Sequence, residues 1–287
     1  MLLQSEILQC AVKEEVPPDT VDKDWVLGHF LAVLFQQNWA REKLVFKGGT
    51  CLKKCYFPNY RFSEDLDFTL IDADFVITGK LLQSVCKTIS DRYGILFSKV
   101  NLEPIKWKNT QVGYRTYIRF WGANHKRSQM PPDSLRWQTS IKIEIVFYEE
   151  VVHHPVTLPL HSEYSDKNTF EGIGIPCYTI SEILAEKFRA LLQRSYPAPR
   201  DYYDLWYIFN HYAPLNREEV VSTFKKKIQC KQISFSNHED FFEENRLKKM
   251  KKEWNNSLKS HIKEGKLADV DSVIHELKNI CNQIKWN

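Results

Sequence analysis

Long apolar runs are absent from this sequence. No stretch reaches the roughly 18 uncharged apolar residues of a membrane-spanning helix, so no membrane partner is expected. The amino-terminal MLLQSEILQCAVKEE has an acid at Glu6 and no basic region ahead of an apolar block, which argues against a signal peptide. Cysteine motifs are missing too: the seven cysteines are an odd count with neither CxxC nor a Cys/His zinc spacing. That pattern argues against a disulfide framework and a zinc site, and it is the one expected in a reducing cytoplasm. No internal repeat is found, and the Walker loop GxxxxGK[ST] is absent. Glycine is scarce, ten in 287 residues, yet two stand side by side at Gly48 and Gly49.

What is present is the composition of a globular chain, 43% apolar and 26% charged, with 13% aromatic residues. At this length it can bury a large core and hold one large domain or two smaller ones. The net charge of +4 is unevenly placed. Residues 214–287 hold 15 Lys/Arg against 11 Asp/Glu, whereas residues 1–213 hold 25 of each. The excess clusters around KKK (225–227) and KKMKK (248–252), which suits either a polyanion partner or a solvated helical face.

Thr20 or Asp19 can cap a helix through VDKDWVLGHFLAVLFQQNWARE, whose apolar residues recur at helical spacing. LVFKGG reads as a short strand meeting a turn, and TCLKKCYF as the helix after it. RFSEDLDFTL alternates, with Leu66, Phe68 and Leu70 on one face and Asp65, Asp67 and Thr69 on the other. GYRTYIRFWG and SIKIEIVFYEE are two further alternating strands. From Tyr178 the periodicity turns helical. Thr179 and Glu182 form a capping box before ISEILAEKFRALLQRS, and Pro199 suits the first turn of a helix through RDYYDLWYIFNHY. The order is a mixed α/β part, residues 1–177, then a helical part, residues 178–287.

The acids carry the chemistry. Asp65 and Asp67, two apart on a strand, project from one face, and like charges that close destabilise each other unless a cation sits between them. Magnesium takes oxygen ligands, including one or two carboxylates, and fills its shell with water and phosphate. An exposed edge strand with a solvated polar face would show the same D-x-D. Glu144 is a third acid, alone in an apolar strand beside Lys142. If that strand pairs with 65–70, three carboxylates meet on one sheet face, as two-metal nucleotidyl transfer requires. A Gly-Gly turn opening a helix lets backbone N–H groups approach phosphate closely, and Thr50 and Ser63 offer hydroxyls nearby. Lys187 lies on the inward stripe of its helix, either snorkelling to the rim or aimed at an anion. Asp201 can be a first-turn acid complementing the helix dipole, while Asp204 faces inward. Arg115 and Arg119 share a strand face with Tyr117 and Trp121, a pattern open to RNA or to solvent. Cys51 and Cys55, four apart on a helix, read as core thiols.

LVFKGGTCLKKCY followed by RFSEDLDF resembles the signature of the AbiEii/AbiGii-type nucleotidyltransferases, toxins of bacterial abortive-infection and toxin–antitoxin systems in the DNA polymerase β-like superfamily. VDKDWVLGHFL, EILAEKFRALLQR and RDYYDL resemble its other motifs, and together they cover about residues 20–210. The resemblance implies an α+β fold: a small mixed-sheet core with helices, followed by a helical C-terminal domain closing over the nucleotide. It also implies that Lys47, Gly48, Gly49, Thr50 and Ser63 bind the NTP, and that Asp65 and Asp67, with Glu144, hold Mg2+ or Mn2+. Lys187 would contact phosphate, and Asp201 or Asp204 would complete the site. The implied acceptor is RNA, with the tRNA 3′ end foremost, and the implied partner is a cognate antitoxin. Some relatives are modified at the serine matching Ser63. Two departures stand out: Cys51 follows GGT where alanine is common, and Glu144 stands where aspartate is usual. A metal-dependent ribonuclease and a non-catalytic nucleotide- or RNA-binding module remain the rival readings.

Overall fold

A computed structural model describes residues 2–126, 128–263 and 265–286. The chain divides into two compact units, residues 1–149 with 155–177, and residues 150–154 with 178–287.

The first unit begins with α1 (Gln4–Glu14) and α2 (Pro18–Gln36). Pro18 opens α2, so Thr20 and Asp19 lie inside the first turn and neither caps it. Proline preorganises that position, and its missing N–H costs nothing there. Apolar on nearly all sides, α2 is buried along most of its length, as such a helix must be. The single long helix expected through residue 42 is broken at Gln37, whose backbone is extended, and α3 (Asn38–Lys43) follows.

The chain then enters β1 (Leu44–Lys47), turns through α4 (Gly48–Cys51), and continues as one wider π-helical turn, Leu52–Tyr56. After β2 (Asp65–Leu70) come α5 (Gly79–Tyr93), capped by Thr78, and then β3 (Leu96–Phe97). A hairpin of β4 (Glu103–Trp107) and β5 (Thr110–Trp121) leads to β6 (Ser140–Val146). Last are β7 (Val156–Pro159) and β8 (Gly174–Cys177).

These strands form one mixed sheet in the order β3-β5-β6-β2-β1-β8-β7, with β4 paired to β5. At its centre β2 runs parallel to β6 and antiparallel to β1. Leu66, Phe68, Ile141, Ile143 and Ile145 are fully buried on the apolar face. Phe35 of α2 packs its ring 6.0 Å from Phe68, which lies 5.2 Å from Phe46 of β1. With one face sealed by aromatics, the alternating residues of β2 and β6 are forced to the other face.

The second unit is helical: α6 (Ile180–Gln193), α7 (Pro199–His211), α8 (Arg217–Cys230), α9 (Glu244–Leu258) and α10 (Val270–Asn282). Its core is an aromatic cluster in which Phe188 lies 4.8 Å from Phe241 and 5.1 Å from Trp286, with Phe224 5.5 Å from Trp286. The expected α+β architecture, a small mixed sheet followed by helices, is the one observed.

Candidate active site

Residues from four strands meet on the polar sheet face. Across β1, β2, β6 and β5, the register aligns Lys47 with Asp67, Asp67 with Glu144, and Glu144 with Arg115. One step along, Asp65 pairs with Lys142 and Lys142 with Tyr117. Asp65, Asp67 and Glu144 therefore do share one face, with three basic side chains among them.

The charges are not evenly matched. Glu144 accepts from Arg115 Nε at 2.5 Å and lies 3.1 Å from Lys142 Nζ, which is 3.8 Å from Asp65. Burial pushes the Glu144 carboxyl up, but Lys142 and Arg115 outweigh it and hold the group below the usual range. Lys47 is buried and donates to Glu149 at 2.5 Å. Asp67 fares differently: burial first, then Asp65 and Glu144, raise its carboxyl to about 7, with Lys47 and Lys142 only partly opposing. Among the described residues, the oxygens of Asp65, Asp67 and Glu144 do not gather within 4.8 Å of one another. Arg115 and Lys142 both meet Glu144 at the same oxygen, Oε1.

The glycine pair sits against this row. Gly48 has φ +79°, and a Cβ there would stand 2.4 Å from Asp67 Oδ2. A Cβ on Gly49 would stand 2.9 Å from Ser63 Oγ and 3.0 Å from Arg61 Nη2. The turn thus has Asp67 against one glycine and a hydroxyl with a guanidinium against the other. Thr50 is buried and donates to the Asp65 carbonyl at 2.5 Å, so its hydroxyl fastens β2 to α4.

In the second unit, Lys187 of α6 lies 2.5 Å from Asp204 and 3.2 Å from Asp201, both on α7. All three are buried, and Arg194 pairs with Asp201 from the other side. Both acids therefore bond Lys187, and Asp201 is more than a first-turn acid facing the dipole.

Three residues at the polar face, Arg61, Lys142 and Glu149, were not expected from the sequence as candidates, and Arg115 was expected to meet RNA or solvent rather than Glu144. The signal for Arg115 and Lys142 was strand alternation, which puts them beside Glu144 once the pairing is known. Arg61 stood at the head of RFSEDLDF, and no local pattern marks Glu149.

A family model for the nucleotidyl transferase AbiEii toxin of a Type IV toxin–antitoxin system matches residues 29–276. The chain belongs to the AbiEii nucleotidyltransferase toxin family. Members of this AbiEii family act as nucleotidyltransferase toxins, generally with an NTP and a divalent metal, and the toxin–antitoxin setting implies a cognate antitoxin. Among solved structures, the chain is similar to MenT4, a nucleotidyltransferase toxin from Mycobacterium tuberculosis H37Rv. The TM-score is 0.68 at 19% identity, covering 99% of this chain and 91% of that one. It is also similar to JHP933 from Helicobacter pylori, with TM-score 0.57, 17% identity, and coverage of 93% and 92%. At these identities the likeness shows a shared fold. No curated protein matches the chain. Among the described residues, no helix is long and apolar enough to cross a membrane.

Proposed function

We propose that this AbiEii-family chain is a magnesium-dependent nucleotidyltransferase that moves a nucleotide from an NTP to an RNA acceptor, the tRNA 3′ end being the favoured target. The observation that carries the reading is Asp67. Its carboxyl is raised to about 7 by burial beside Asp65 and Glu144, and it lies against a glycine that no side chain could replace without displacing it. Such a group is costly to keep charged, and a cation held with Asp65 would reverse that cost. The donors are all carboxylate oxygens, which fits a hard ion such as Mg2+. Bound there, the ion would neutralise the triphosphate and lower the pKa of an attacking hydroxyl.

The protein's own groups have assignable work. Arg61 and Ser63, packed on Gly49, are placed to meet phosphate oxygens at the glycine turn. Arg115 and Lys142 hold Glu144 and keep positive charge beside the acids. Lys187, set between Asp201 and Asp204, is included as a phosphate contact on the family resemblance. A cognate antitoxin and a cytoplasmic location complete the proposal.

Label transfer tests it. The protein is incubated with Mg2+, total tRNA and each α-labelled NTP in turn, beside Asp65→Ala and Lys187→Ala. Label should enter RNA from one NTP and be lost in both variants. Label on the protein would redirect the reading to protein modification, with Ser63 the first position to map. RNA shortened without NTP would replace the transferase with a nuclease, and intact unlabelled RNA would leave a binding module.

A further inference from the structure

We propose that Cys51, Cys55 and Cys177 form a binding site for a thiophilic d10 cation, Zn2+ or Cu+. The three sulfurs lie within 4.8 Å of one another, and all three residues are buried. Thiolates are soft donors that select such ions. With metal–sulfur bonds of about 2.3 Å, three thiolates around one ion stand about 4 Å apart, so small inward shifts close the site.

The sulfurs are held by short, well-fixed elements. Cys51 ends α4, Cys55 lies in the π-helical turn that continues it, and Cys177 ends β8. Cys177 is paired with Phe46 of β1, one residue before Lys47 and two before the glycine turn. π-Helical turns are rare and recur at functional sites. Buried cysteines that only fill space look different: Cys86 and Cys281 are buried as well but join no such group among the described residues. Linear spacing argued against a zinc site because it cannot see a third ligand arriving from another strand. An ion here would tie α4, and so Gly48 and Gly49, to β8. The inference does not depend on the transfer reaction.

The test uses the full chain, purified under a non-thiol reductant and freed of metal. Co2+ is titrated as a spectroscopic probe, followed by competition with Zn2+ and with Cu+. A sulfur-to-cobalt charge-transfer band should saturate at one Co2+ per chain and be bleached by the preferred ion, which the two competitions identify. Co2+ at Asp65 and Asp67 gives no sulfur band, so the carboxylate site is silent. Cys177→Ser should lose affinity by at least about tenfold, the loss that even outer-shell changes reach, while Cys86→Ser keeps the band. A readout independent of variants is alkylation of the wild-type chain: the ion should slow modification of Cys51, Cys55 and Cys177 together, and leave Cys10 and Cys230 unaffected. No sulfur band at stoichiometric cobalt, a band that survives in Cys177→Ser, or a disulfide among the three in the freshly isolated protein would each overturn the proposal.

Discussion

At the scale of single residues, the two glycines have different reasons. Gly48 needs both its left-handed φ of +79° and its bare Cα, because Asp67 Oδ2 occupies the space a Cβ would take. Gly49 needs only room, and one of its two close neighbours is the flexible end of Arg61. Gly48→Ala is therefore expected to abolish transfer and lower stability by about 1–3 kcal/mol. Gly49→Ala should cost less stability, because Arg61 can shift; parallel melting curves and label transfer check both, and equal losses would refute the distinction. The sequence displayed the pair and its turn, but not Asp67 as the reason, since that contact crosses from the start of α4 to β2. Asp22 was invisible for the same cause. It is fully buried on α2, accepts from the Ala123 N–H at 2.7 Å, and burial raises its carboxyl to about 6. The fold thus holds this proton more tightly than the unfolded chain, whose carboxyl titrates near 3.8. The Asp22 contribution to stability should decline as pH rises from about 4 to about 6 and stay lower above, by about 2–3 kcal/mol. Asp22→Asn keeps an acceptor for Ala123 without the charge. It should exceed wild type in urea midpoint at pH 7.5 and match it at pH 4, and a gap equal at both pH values would refute the assignment.

At the scale of elements, local signals were readable where the partners are local. Thr179 accepts from the Glu182 N–H at 3.2 Å, as a helix start requires. The reciprocal half of the capping box is different: the Glu182 carboxylate takes the Val152 and His153 N–H groups at 2.8 and 3.2 Å and pairs with Lys227 at 2.9 Å. Two amides from residues 150–154 and a buried ammonium out-compete one cap amide. Thr179→Ala should then cost about 1 kcal/mol, whereas Glu182→Ala, which takes the carboxylate partner from buried Lys227 and the acceptor from two amides, should cost about 3–5 kcal/mol. Denaturant midpoints check this, and similar costs for the two would restore the purely local box. The β4–β5 hairpin was missed for a related reason. Its two-residue turn, Lys108–Asn109, has φ of 47° and 66°, a conformation that sequence normally announces with Asn-Gly or Asp-Gly.

At the scale of the whole molecule, the class of fold was legible because alternation and helical periodicity occupy separate stretches of chain. The strand order was not, because β2 pairs with β6 across the long stretch of residues 71–139. Glu144 shows the limit: strand alternation placed it on the correct face, yet its pairing with Arg115 and Lys142 depends on that long-range order. Charge distribution is a further whole-molecule property, and its meaning is open to measurement. The positive excess lies in the second unit, where Lys248, Lys249 and Lys252 of α9 are exposed and Lys251 pairs with Asp271. If an RNA acceptor crosses this surface, each lysine that meets a phosphate releases counterions, and the slope of log affinity against log salt changes by about 0.7 per contact on a single strand. Changing Lys248, Lys249 and Lys252 together to Gln removes exposed charge without touching a buried group, so the melting temperature should hold. RNA affinity at low salt should fall, the salt slope should become shallower by up to about 2, and the transfer rate at saturating RNA should stay as in wild type. An unchanged slope would mean that these lysines face only water, and that the RNA is held elsewhere on the chain.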